Sequence, residues 1–151
     1  MLHDTQWISS SKGPSSAPES VEIVVRSLTD LPQLPIRDDK GGISRRDVVE
    51  AVRDRVHSHG MSPLPGCHAD AVNERLRLAV RCEAGRAHTN NDGLVAVLEA
   101  AADPTIDALI LVVPDQYKGS VTASRVAQRV RWLLRSDGLG LDLLGVAVVL
   151  Y

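Results

Sequence analysis

Two nearly continuous apolar runs constrain the fold of this chain most strongly. They are IDALILVV over residues 106–113 and LLGVAVVL over residues 143–150. Strands covered on both faces have such runs and lie centrally in parallel sheets, whereas half-exposed strands alternate apolar and polar residues. Between the runs, Val126 and Val130 keep the spacing of a helix that we predict over residues 120–135. The sequence therefore predicts two central parallel strands joined by a helix.

Other patterned segments precede these strands. A helix, two hairpin strands and a second helix are predicted over residues 44–59, 69–73, 75–82 and 92–102. Ser44 suits the N-cap of the first helix and Gly60 suits its C-terminal stop. The order helix, hairpin, helix, strand, helix, strand is typical of an α/β three-layer sandwich with a mixed central sheet.

The domain boundaries follow from composition. Residues 1–20 contain six Ser and two Pro and little that can be buried, which predicts a disordered tail. Residues 21–27, VEIVVRS, are interpreted as an edge strand, and the prolines and glycines that follow extend a linker to residue 43. Residues 44–151 are then a single α/β domain, long enough for one buried core.

Charge and composition exclude some classes of protein. A net charge of −2 argues against a uniformly basic nucleic-acid-binding protein, although it leaves room for a local basic face. The two cysteines do not form a disulfide framework. The sequence contains neither a signal peptide pattern nor an apolar run of about 18 residues, so we expect no membrane span and a cytoplasmic protein.

Acidic residues gather around the hairpin and the helix before it. Glu83 follows the second hairpin strand, Asp70 lies on the first strand, and Glu50 lies on the preceding helix. A turn at Asn73-Glu74 would place Asp70 opposite about Leu78 and Glu83 further along, and a bulge or a sharp twist could still bring the two carboxylates to one end. Grouped carboxylates bind Mg²⁺, which prefers oxygen ligands. The alternative interpretation is three independent surface acids.

The order of elements resembles that of the restriction-endonuclease-like PD-(D/E)xK nuclease superfamily. The tract AVRCEAGR is similar to the variant in which a strand carries Glu-x-Glu before a glycine and a basic residue. The turn HTNN and the segment IDALILVVPDQYKG are also similar to bacterial proteins of that type. The resemblance covers residues 44–151 and implies a restriction-endonuclease-like fold, a hydrolase activity on DNA phosphodiesters and Mg²⁺ as cofactor.

Carried onto this sequence, the resemblance assigns catalytic and metal-binding roles. It implies that Asp70 and Glu83 bind the metal with Glu50 as an optional third ligand, and that Arg86 contacts the phosphate. Arg81 departs from the pattern because it stands where the first acid of Glu-x-Glu belongs, and a cation there repels Mg²⁺. No proline precedes Asp70, and the usual catalytic lysine has no match.

These departures leave two functions open. One is a nuclease with a weakened site, for which a homodimer would suit the cutting of both DNA strands. The other is an inactive module that binds DNA or a protein, with Arg81 and Glu83 as a structural ion pair. Arginines of the 44–59 helix, interpreted first as a solvated face, are the expected contacts to the DNA backbone together with those of the 120–135 helix.

Two further hypotheses have less in the sequence to support them. A zinc site would draw on residues without paired ligand spacing, namely His57, His59, Cys67, His68, Cys82 and His88. An enzyme acting on a small molecule rests on the fold class alone.

Overall fold

The computed structural model describes residues 5–33, 39, 42–85 and 91–151. The strands are β1 (Thr5–Ser9), β2 (Ala71–Asn73), β3 (Leu78–Cys82), β4 (Ala108–Val113), β5 (Gln116–Tyr117), β6 (Ser120–Val121) and β7 (Gly145–Leu150). The helices are α1 (Glu19–Arg26), α2 (Arg45–Val56), α3 (Asp92–Ala102) and α4 (Ala123–Leu134), with 3₁₀ turns at Leu31–Gln33 and His57–His59.

Five strands form the main sheet, in the order β1-β7-β4-β3-β2. The two apolar runs are β4 and β7, and they are parallel neighbours in the centre of the sheet, as predicted. β3 is also parallel to β4, so that Val80, Ile110 and Ala147 lie in register across three strands. The outer strands β2 and β1 run antiparallel to β3 and β7, and the sheet is therefore mixed.

Helices cover both faces of this sheet. α1 and α2 pack with Ile110 and Val112 on one face, while α3 and α4 pack with Leu109 and Leu111 on the other. This three-layer α/β arrangement confirms the predicted architecture at that level. Among the described helices, none is long and apolar enough to cross a membrane.

The predicted helices have the predicted ends in most cases. α3 matches residues 92–102, and the Ser44 hydroxyl accepts a hydrogen bond from the amide of Asp47 at 3.4 Å to cap α2. Gly60 follows with a φ of 71°, a left-handed conformation that suits glycine at a helix stop. α4 begins later than predicted because residues 120–121 belong to the small hairpin of β5 and β6.

The N-terminal prediction is wrong for the residues that the structure describes. Residues 5–9, predicted as part of a disordered tail, form the edge strand β1 against β7. Residues 19–26, which span most of the predicted edge strand, form the helix α1. Val21, Val24 and Val25 share the buried face of that helix, with Leu28 buried just beyond it. Residues 1–4, and residues 34–38, 40 and 41 of the predicted linker, lie outside the described residues.

Candidate functional site

Both candidate acids lie at one edge of the main sheet. β3, β4 and β7 are parallel, so their carboxyl ends meet at the same edge. β2 runs the opposite way and begins at that edge. Asp70 immediately precedes β2 and Glu83 immediately follows β3, so the topology brings both acids to the edge where ligands bind in many α/β proteins.

The hairpin register differs from the predicted one. Asn73 pairs with Leu78, and a four-residue turn over residues 74–77 separates them. The Asn73 side chain stabilises this turn by accepting a hydrogen bond from the amide of Leu76 at 3.0 Å. The longer turn moves Asp70 away from Leu78. The amide of Asp70 donates instead to the carbonyl of Val80 at 2.8 Å. Asp70 therefore reaches the edge of the sheet without a bulge.

Arg45 holds the carboxylate of Asp70. Its Nη2 atom lies 2.9 Å from each carboxylate oxygen, and the Oδ2 atom also accepts from the amide of Cys82 at 2.7 Å. The Nε atoms of Arg45 and Arg53 donate to the backbone carbonyls of Cys82 and Asp70, at 3.1 and 2.9 Å. Asp70 is only 6% exposed, so these donors replace the water that would otherwise solvate its charge.

Arg81 holds the carboxylate of Glu83. Its Nε atom lies 2.9 Å from Oε1, and its Nη1 atom donates to the carbonyl of His68. The backbone of Glu83 is also fixed, because its amide donates to Val112 at 2.8 Å and its carbonyl accepts from the Tyr151 hydroxyl at 2.8 Å. The structural ion pair between Arg81 and Glu83, predicted as an alternative to metal binding, is therefore present.

Burial and charge compete at Glu83. Glu83 is only 4% exposed, and this burial raises the pKa of its carboxyl group. The hydrogen bond and the charge of Arg81 lower that pKa. The net effect is a raised pKa, to which the charge of Asp92 contributes. Arg81 thus compensates only part of what the carboxylate loses by leaving water.

The structure does not bring the three predicted metal ligands together. Glu50 is exposed on α2, while Asp70 and Glu83 each face an arginine. Within the described ranges, no three His, Cys, Asp or Glu side chains are grouped so that they could hold one metal ion. Arg86, the predicted phosphate contact, lies outside the described residues.

The residues of the zinc hypothesis are similarly dispersed. Cys82 is buried, and burial raises the pKa of its thiol well above the ordinary cysteine value, which opposes the thiolate that a metal requires. His68 pairs with Glu99 at 3.5 Å, and Cys67 is a free, partly buried thiol. His88 lies outside the described residues.

Arginines of α2 line a groove beside Asp70. The groove has a volume of about 520 Å³ and is lined by Arg45, Arg46, Val49, Glu50, Arg53, Asp54 and Asp70. Its charged residues comprise three arginines and three acids, and one of the acids is already paired with Arg45. The interpretation of Arg45 and Arg53 as a solvated face is wrong, since both bind Asp70. Asp70 lies 25 residues after Arg45 and 17 residues after Arg53, and no local sequence pattern predicts these contacts.

No protein-family model, curated protein or solved structure matches this chain. Any assignment of function therefore depends on the chemistry of the site itself.

The arrangement opposes binding of a divalent cation between the acids. Two unit charges about 4 Å apart interact by roughly 4 kcal/mol at an effective dielectric constant near 20, and Mg²⁺ carries two charges. A Mg²⁺ ion that approached either carboxylate would be repelled by the arginine already bound there and would have to displace it. The N–H groups of Arg45 and Arg46 that bind no described residue remain available to an anionic ligand such as a phosphate, which accepts hydrogen bonds in the planar geometry that arginine offers.

Proposed function

We propose that this chain is a restriction-endonuclease-like domain that binds the DNA backbone without hydrolysing it. The observation that carries the proposal is that Asp70 is hydrogen-bonded to Arg45 and Glu83 to Arg81. In a metal-dependent nuclease the corresponding carboxylates bind the ion that activates water and stabilises the charge on the phosphate. Here each carboxylate already has a cation as its partner.

The groove of α2 supplies the binding groups in this proposal. Arg45 uses its Nε and Nη2 atoms within the protein, and its Nη1 atom makes no hydrogen bond to a described residue. Arg46 is exposed and makes no hydrogen bond within the described ranges. Together with Arg53, these side chains offer guanidinium N–H groups to phosphate oxygens. Glu50 and Asp54 on the same groove limit the affinity, so the expected binding is weak.

Binding is tested by fluorescence anisotropy with a labelled DNA duplex at several salt concentrations. About three phosphate contacts predict that log K falls with log salt with a slope of roughly −3. Arg46→Ala should weaken binding without affecting the fold. Arg75→Ala is the matched control, because Arg75 is also exposed but lies in the turn at the opposite end of β2 and β3. No binding at low salt, or equal loss in both variants, rejects the proposed surface.

Hydrolysis is tested separately with supercoiled plasmid DNA and Mg²⁺ or Mn²⁺. We expect no cleavage by the natural sequence. Cleavage that is lost in both Asp70→Ala and Glu83→Ala would instead establish the active nuclease, the second candidate function. That candidate is favoured by the position of both acids at the carboxyl edge of the sheet. Cleavage gained only in Arg81→Glu would identify a nuclease site in which Arg81 prevents metal binding.

A further inference from the structure

The outward face of α3 is apolar. Gly93, Ala96, Val97 and Ala100 form its buried face. On the opposite side, Val95 and Leu98 are 46% and 42% exposed. They lie three residues apart, so they are neighbours on one face of the helix. A helix in the outer layer of a domain normally has charged or polar residues there, and apolar residues grouped on an outward face are typical of an interaction surface.

A tryptophan on α4 extends this apolar surface. Trp132 is 68% exposed, in a chain with two Trp and no Phe. The Arg129 Nη1 atom donates to Asn91 Oδ1 at 3.0 Å, which places the start of α3 beside the middle of α4. Both helices connect parallel strands and run in the same direction. Trp132 and Val95 each lie one turn beyond that contact, so they belong to one surface.

The two helices differ in the sign of their charges. α3 contains Asp92 and Glu99 and no Lys or Arg, and the Glu99 carboxylate, which is 30% exposed, also lies 3.5 Å from the His68 imidazole. α4 contains Arg125, Arg129 and Arg131 and no Asp or Glu. A partner that is uniformly acidic would be repelled by α3, and a uniformly basic partner would be repelled by α4. The surface instead fits a partner with one acidic and one basic helix, side by side in the same arrangement.

We propose that this partner is a second copy of the chain, bound through the surface of α3 and α4 about a two-fold axis. The axis places α3 of one copy against α4 of the other, and the same contact occurs twice because an isologous interface is self-complementary. Val95, Leu98 and Trp132 then pack between the copies, and each acidic helix faces a basic one. This inference does not depend on the proposed DNA binding.

The surface of α3 and α4 is small, and small interfaces are typically weak. The helices contain 11 and 12 residues, so each is about 17 Å long at 1.5 Å per residue. Two such helices provide less area than the roughly 800 Å² per partner that a standard interface buries. We therefore expect a dissociation constant in the micromolar range and a dimer that is sensitive to salt.

Sedimentation equilibrium from about 1 to 200 μM tests the proposal, with dimers recognised by twice the 16.3 kDa mass of the chain. Leu98→Asp and Trp132→Ala should each weaken the dimer at least about tenfold. Ile23→Asp is the matched control, because Ile23 is 44% exposed on α1 on the other side of the sheet. A chain that is monomeric throughout this range, or a dimer that tolerates both substitutions, overturns the proposal.

A charge exchange separates this arrangement from any other dimer. The variant Asp92→Lys/Glu99→Lys has two basic helices, and the variant Arg125→Glu/Arg131→Glu has two acidic ones. Each variant alone should be monomeric, because like charges meet across the interface. An equimolar mixture should recover the dimer, since both contacts are then complementary. Failure of the mixture to associate, with both variants folded by circular dichroism, overturns the pairing of α3 with α4.

Discussion

Arg45 binds both carboxylate oxygens of Asp70 from a position 25 residues earlier in the chain, with Nη2 at 2.9 Å from each. The contact ties the first residue of α2 to the start of the hairpin. Asp70 is almost completely buried, and its carboxylate oxygens accept hydrogen bonds from this partner and from the amide of Cys82. The relationship makes the candidate site a structural element of the domain as well as a potential ligand site.

Replacing Arg45 should therefore destabilise the fold. Arg45→Ala leaves the Asp70 carboxylate without its cation, and losing a charged hydrogen bond to a buried group costs about 1–3 kcal/mol. Because the Arg45 side chain is 43% exposed, solvent compensates part of this, and we expect about 1–2 kcal/mol in urea unfolding. Arg46→Ala, at the next residue, which is exposed, should change the free energy of unfolding by less than about 0.5 kcal/mol. Equal effects of the two substitutions contradict the structural role of Arg45.

The raised pKa of Glu83 predicts a pH dependence that Glu83→Gln removes. Because the folded protein binds the proton on Glu83 more tightly than the unfolded chain does, this residue favours the folded state most at pH values below the ordinary glutamate pKa. That contribution is lost as the pH rises through the raised pKa of the folded state. The difference in the free energy of unfolding between the natural sequence and Glu83→Gln should therefore fall as the pH rises from the ordinary glutamate pKa through the raised one. Urea titrations at several pH values measure this difference. A relative stability that rises with pH would mean that Arg81 outweighs burial.

Gly145 allows β1 to approach β7, and its replacement should loosen that edge. A Cβ atom at this position would lie 2.6 Å from the carbonyl oxygen of Ile8 and 2.5 Å from the Trp7 ring. We expect Gly145→Ala to cost about 1–3 kcal/mol, as overpacking does, and to speed amide exchange in residues 5–9. Gly138→Ala is the control, since a Cβ there meets no atom within 4 Å. Unchanged exchange in Gly145→Ala would argue against β1 as part of the sheet.

The hydroxyl of Tyr151 connects the end of β7 to the residue after β3. It donates to the Glu83 carbonyl at 2.8 Å in a buried contact, so Tyr151→Phe leaves that acceptor without this donor. We expect a loss of about 1 kcal/mol in the free energy of unfolding, measured with urea. Tyr117→Phe should have little effect, because the Tyr117 hydroxyl makes no hydrogen bond within the described ranges. A loss no larger than in Tyr117→Phe contradicts this assignment.

The sequence was sufficient to predict the elements that depend on a local pattern of neighbouring residues. The apolar runs of β4 and β7 identify buried parallel strands because a strand covered on both faces needs no polar alternation. Ser44 and Gly60 mark the ends of their helical segment because capping depends on adjacent backbone groups. These elements and their order are enough to derive three layers and a mixed sheet. The resemblance to nucleases placed Asp70 and Glu83 among the candidates, and the topology brings both to one edge.

Contacts between distant residues were decided only by the tertiary structure. β1 has little strand pattern of its own and forms because β7, about 140 residues later, offers an edge for hydrogen bonding. α1 is rich in residues with strand propensity, yet Val21, Val24 and Val25 bury one helical face against the sheet. The partnership of Arg45 with Asp70 has the same origin, because a long side chain reaches a carboxylate that only folding brings near. The sequence thus determined the main elements from α2 to β7 and their order, while the packed structure decided the N-terminal elements and which charges meet.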